Sequence, residues 1–85
     1  MLATAPSFNK CQLITKSDTA NFELYPTLGL CDAIFVGGAG IVEVVFQNDE
    51  TCDFTCAAST YLWVRAKRVN SSTTSATVMV ALWAV

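Results

Sequence analysis

The chain of 85 residues contains no histidine, and only 14% of its residues are charged, against a usual fraction of about 25%. Without histidine there is no side chain whose ordinary pKa suits a general base near neutral pH. With no histidine and no C-x-x-C spacing among the four cysteines, a zinc site is disfavoured. A net charge of −2 argues against nucleic acid, because phosphate binding needs a cationic surface. Long apolar runs are also missing. The longest uncharged stretch, 69–85, opens with the polar segment 70–75, and the roughly ten apolar residues after it are too few for a membrane-spanning helix. The start, 1–10, lacks the basic-then-apolar pattern of a secretory signal. The expectation is synthesis in a cytoplasm, with no membrane partner, no cofactor, no metal and no catalytic residue.

What the chain has in excess is apolar residues, 53% of the total. A domain this small buries only roughly 60–65% of its unfolded surface, so this apolar content exceeds what one thin core takes up. Either the core is rich in Ala and Val, or part of the excess faces another subunit; the second reading is preferred. Charge is divided along the chain. Residues 1–60 hold Lys10, Lys16 and all seven acids, whereas 61–85 hold Arg65, Lys67 and Arg68 and no acid. Arg65, Lys67 and Arg68 are candidates for contact with a neighbour's acidic edge, or else a solvated strand face.

The first thirty residues lack a period, being broken by Pro6, by Lys16-Ser17-Asp18-Thr19 and by Tyr25-Pro26-Thr27 before Gly29. They are read as an arm that crosses the domain or reaches a neighbour, with one short edge strand over 12–15. From Cys31 the pattern is β. Ala33–Val36 leads into Gly37-Gly38-Ala39-Gly40, followed by Ile41–Phe46, a polar turn, Thr51–Ala57, Tyr61–Val69, a second polar turn, and Ala76–Val85. Short β-branched and aromatic runs at this spacing predict an all-β domain, a small antiparallel sandwich or barrel over 31–85. The middle runs read as consecutive hairpins, with the glycine cluster as a turn or bulge rather than a phosphate loop, since a strand and not a helix follows.

Within Tyr61–Val69, alternation puts Tyr61, Trp63, Arg65 and Lys67 on one face and Leu62, Val64 and Ala66 on the other. The last run is apolar on both faces, which predicts cover on both sides. Val78, Val80 and Leu82 are expected inward, and Met79 and Trp83 toward another subunit. Together with Trp63, Arg65, Lys67 and Arg68, these two make up the predicted interface. Tyr61, Trp63 and Trp83 also suit a sugar platform, though such aromatics more often serve a core or interface. Asp49, Glu50 and Asp53 read as a solvated turn without calcium-loop spacing. Cys11, Cys31, Cys52 and Cys56 are expected as reduced, buried thiols. Disulfides are the alternative; Cys52 and Cys56, roughly 13 Å apart on one strand face, would need a turn between them to pair.

From Asp18 onward the chain resembles a family of small phage proteins found also in gene transfer agents, the head spike base proteins. The resemblance rests on Asp18-Thr19, on Ile34-Phe35-Val36-Gly37-Gly38-Ala39-Gly40, and on Val64-Arg65-Ala66-Lys67-Arg68-Val69-Asn70. It continues through Thr73-Thr74-Ser75-Ala76-Thr77 and Val80-Ala81-Leu82-Trp83, in that order. The chain departs from the pattern at Ala57-Ala58-Ser59 and Ser71-Ser72, where the family carries glycine, and in its four cysteines. The resemblance implies a virion protein on the outside of a phage head, a cement protein or a spike base, with the major capsid protein as partner. The shortness of the chain favours the cement or decoration protein, and with it a homo-oligomer that is a trimer rather than a pentamer. A head-vertex spike base or a glycan-binding host-recognition module is the alternative.

Overall fold

A computed structural model describes residues 7–85; Pro6 and the start of the arm lie outside the described residues. The chain forms β1 (Lys10–Leu13), the one-turn helix α1 (Tyr25–Leu28), β2 (Ala33–Gly38), β3 (Gly40–Val45), β4 (Thr51–Cys56), β5 (Thr60–Leu62), β6 (Arg68–Val69) and β7 (Thr77–Trp83). These strands make two antiparallel sheets, one in the order β1-β7-β2-β5 and one in the order β4-β3-β6. The all-β sandwich expected from the patterning is present. Ile34, Val36, Met79, Ala81 and Trp83 of the larger sheet meet Val42, Val44 and Val69 of the smaller one, all of them buried.

The glycine cluster is not a hairpin turn. β2 and β3 flank it but belong to different sheets, so 37–40 is a corner at which the chain changes layer. The corner needs glycine for two reasons. Gly40 has φ 151°, a region almost reserved for glycine. A Cβ there would lie 2.6 Å from the Ala76 backbone nitrogen, and one on Gly37 would lie 2.9 Å from the Val78 carbonyl oxygen. The start of β7 therefore packs directly onto the corner. Val78 itself has φ 53°, costly for a β-branched residue.

The run 61–69 is likewise split. β5 pairs with β2 in the larger sheet and β6 with β3 in the smaller, and residues 63–67 cross between layers. Alternation holds as far as Ala66, with Tyr61, Trp63 and Arg65 exposed and Ala66 fully buried, and shifts by one beyond it, where Val69 is buried. Periodicity reports a strand-like backbone, whereas a sheet change is decided by which partner takes up the hydrogen bonds.

Of the first thirty residues, Lys10–Leu13 form the edge strand, two residues earlier than expected. Residues beyond it follow the smaller sheet, where the Ser17 and Phe22 N–H groups donate to the Val69 and Lys67 carbonyls at 2.9 and 2.8 Å. Ile14 and Phe22 enter the core. Asp18 anchors this segment by accepting bonds at Oδ1 from the N–H groups of Ser71 and Ser72 and from the Ser72 hydroxyl. Those bonds, led by the Ser72 N–H, hold its carboxyl below the usual carboxylate range. A lowered folded-state pKa means that the anchor is intact at neutral pH, and its contribution is lost only as the pH falls below the ordinary carboxylate pKa and through the lowered one. The segment around Pro26 is α1, since proline is tolerated in a first helical turn.

The faces of β7 are the reverse of the expectation. Met79 and Trp83 are 2% and 0% exposed and belong to the core, while Val80 and Leu82 are half-buried on the outside and Val78 is 64% exposed. A period of two separates the two sets without saying which is inside. Tertiary partners decide it. Trp83 Nε1 donates to the Gly29 carbonyl at 3.0 Å, and its ring meets Phe22 edge-on at 6.0 Å. A buried indole needs such an acceptor, and the Gly29 carbonyl supplies it on the inner side.

Candidate functional site

Opposed residues in antiparallel strands project to the same side. The register therefore lines up Leu13, Val80, Phe35 and Tyr61 as one row across all four strands of the larger sheet. Met79 and Trp83 face the core, so this row faces outward. Cys11 and Leu82 form a second row beside it, Val78 extends it along β7, and Trp63 follows β5. None of these residues is charged. Leu13 is 68% exposed, Trp63 58% and Tyr61 47%.

Aromatic rings run along one side of the face. Phe35 meets Tyr61 edge-on at 5.2 Å, Tyr61 stacks on Trp63 at 5.3 Å and 11°, and Trp63 stacks on Phe8 at 6.2 Å. A groove of about 470 Å³ opens between Ser7, Phe8, Tyr61, Trp63 and Leu82. The outer side of the smaller sheet is unlike it. Glu43 and Asp53 stand opposite each other on β3 and β4, and Asn70 donates to Glu43 Oε1 at 2.9 Å. Desolvation, then the Glu43 carboxylate, push the Asp53 carboxyl upward. The sandwich thus has one apolar outer face and one that carries charge, Glu43 and Asp53 with Arg68 on the same side.

The predicted interface residues are dispersed. Trp63 lies in the apolar face. Arg65 is exposed beside it and reaches Asp32 at 3.7 Å. Lys67 and Arg68 are engaged within the chain, which explains why they do not form a free basic edge. Lys67 Nζ binds Asp49, whose carboxyl this bond holds below the usual range, and its side chain is only 12% exposed. Arg68 donates to Asn21 and Asn70. Met79 and Trp83 are core. Asp53, read as part of a turn, lies on β4. The residues missed by sequence reasoning are Phe8, Leu13, Phe35, Val78, Val80 and Leu82. The two-faced apolar pattern of the last run is the signal for the β7 members of this set, but it does not carry which side is inside.

The expectation of four buried thiols holds for two. Cys31 and Cys56 are buried, Cys11 and Cys52 are exposed, and all four are free. Burial pushes the Cys31 thiol up to about 11 and raises that of Cys56. Because the thiolate is the nucleophile, alkylation of the native protein near pH 8 followed by mass spectrometry is expected to modify Cys11 and Cys52 first. Cys31 and Cys56 should react only after denaturation; fast native labelling of Cys31 would contradict the packing around it.

No protein-family model matches the chain, and no curated protein matches it. A solved structure does. A chain of "Capsid of native GTA particle computed with C5 symmetry" superposes with a TM-score of 0.76 at 24% identity, over 93% of this chain and 92% of that one. At this identity the two share a fold, end to end.

Proposed function

We propose that this protein is a capsid-associated structural protein of a phage-like particle, a cement or decoration protein bound to the outside of the shell through the major capsid protein. The observation that carries this reading is the shared fold over nearly the whole of both chains, the neighbour being a chain of a capsid. The uncharged apolar outer face adds a physical reason, because a monomer gains nothing from leaving such a surface in water. The role needs no chemistry. A subunit that binds only assembled shell stabilises that state by its binding free energy, multiplied over many copies. A spike base at a five-fold vertex is the second reading, favoured by the C5 symmetry applied to the neighbour's particle.

The test is co-sedimentation of the purified, folded protein with shells assembled from the major capsid protein, followed by electron microscopy. Saturable binding with density at one class of symmetry position is expected. Density between capsomers supports the decoration role, and density at vertices supports the spike base. Folded protein that stays in the supernatant at saturating concentration would remove the proposal.

A further inference from the structure

We infer that, free in solution, the outer face of the larger sheet is covered by the same face of a second copy of this chain, in a two-fold pair. The inference rests on the reading of that face as an assembly surface and names its partner. The area suits such a pair. Taking ~150–250 Å² for a whole aromatic side chain, the exposed parts of Tyr61 and Trp63 alone present roughly 200 Å². Leu13 and Val78 are about two-thirds exposed, and Cys11, Phe35, Val80 and Leu82 fill the space between. The total approaches the roughly 800 Å² per partner of a standard stable interface.

Symmetry selects the same partner. A head-to-tail contact joins two different patches, so a ring or filament would need a second apolar surface of matching size. Among the described residues the other exposed large hydrophobic side chains are Ile41 and Val85, which do not form one. Only the isologous arrangement sets apolar against apolar on both copies. Charge permits it as well. Two-fold pairing sets the residues near the axis against their own copies, which is costly for charged groups; the residues at the middle of this face are uncharged, and the exposed Arg65 lies beside it. The acidic Glu43–Asp53 pair lies on the other sheet and points away from the partner. Val80 and Phe35, on the two central strands β7 and β2, lie nearest the middle of the face and hence nearest the axis. The pair describes the free protein; on a shell, the lattice beneath sets the symmetry.

The experiment is sedimentation velocity of the full chain alone from about 1 μM to about 1 mM, a range that brackets association through an interface of this size. It is run for wild type, Val80→Lys, Val80→Glu and an equimolar mixture of the two variants. Wild type is expected to shift from monomer to dimer. Each variant should stay folded, with association roughly 100-fold weaker, because a charge is buried against its like. The mixture should dimerise again, since an ammonium then meets a carboxylate across the axis. A wild type that stays monomeric throughout, larger oligomers unaffected by the variants, or a mixture that fails to re-associate would each overturn the pair. Leu13→Lys and Leu13→Glu on the edge strand, alone and mixed, serve if the Val80 variants do not fold. Slowed alkylation of Cys11, but not Cys52, at high concentration is a second readout. Shell binding is measured separately, so loss of the capsid reading and loss of the pair are distinguishable.

Discussion

Trp83→Ala is expected to leave a chain that is largely unfolded at 37 °C. Trp83 is completely buried, packs on Phe22 and satisfies the Gly29 carbonyl. Replacing such a tryptophan by alanine costs about 3–5 kcal/mol, and the orphaned carbonyl adds about 1 kcal/mol. At ~0.05–0.15 kcal/mol per residue, the whole domain has only about 4–13 kcal/mol to lose. With a sensitivity of roughly 4–8 °C per kcal/mol for a domain of this size, thermal unfolding should fall by about 15–50 °C or be absent. Trp63→Ala, on the outer face, should shift it by only a few degrees and change self-association instead. Thermal unfolding by circular dichroism, beside sedimentation of the folded fraction, separates the two tryptophans. A Trp83→Ala protein that melts near wild type would mean that β7 has been turned the wrong way in the sandwich.

The second large effect is expected at the corner between the sheets. Gly29 and Gly40 both have positive φ, 79° and 151°, but their surroundings differ. A Cβ at Gly29 meets nothing within 4 Å, whereas at Gly40 it meets the Ala76 backbone at 2.6 and 2.8 Å and Ser75 Oγ at 2.8 Å. Gly29→Ala therefore isolates the conformational penalty, about 1–3 kcal/mol at φ 79°, ψ −161°. Gly40→Ala adds a collision with backbone that is itself tied down, the Ser75 and Ala76 N–H groups both donating to the Ile41 carbonyl. It should cost at least about 3 kcal/mol and loosen the corner. Urea unfolding of both variants gives the comparison; equal stabilities would show that β7 does not press on the glycines.

Most strands were legible because each is a short β-branched or aromatic run bounded by turn residues. Val42 and Val44 alternate with Ile41 and Glu43, and that period alone places β3 with one face inward. The layer changes were not legible. Nothing in Gly37-Gly38-Ala39-Gly40 distinguishes a hairpin from a corner, because both need glycine; the difference lies in whether β2 bonds to β3 or to β5 and β7. The same holds for Tyr61–Val69, which reads as one strand although the inward set shifts by one between Ala66 and Val69, as the chain passes from one sheet to the other. The basic residues were visible as a cluster, but their partners, Asp49 for Lys67 and Asn21 for Arg68, are 18 and 47 positions away.

Composition and a period of two, both local properties, were enough to establish a small all-β domain with more apolar surface than one core can hold. They were also enough to show that its last strand is apolar on both sides. Which of those sides lies inside was settled by contacts between segments far apart in the chain. Met79 and Trp83 occupy the core because the acceptor and the ring that Trp83 needs come from such segments. The Gly29 carbonyl and Phe22 fold over one face of the sheet and not the other. The opposite side, from Leu13 across Val80 and Phe35 to Tyr61, became a surface, bordered by Phe8 stacked on Trp63.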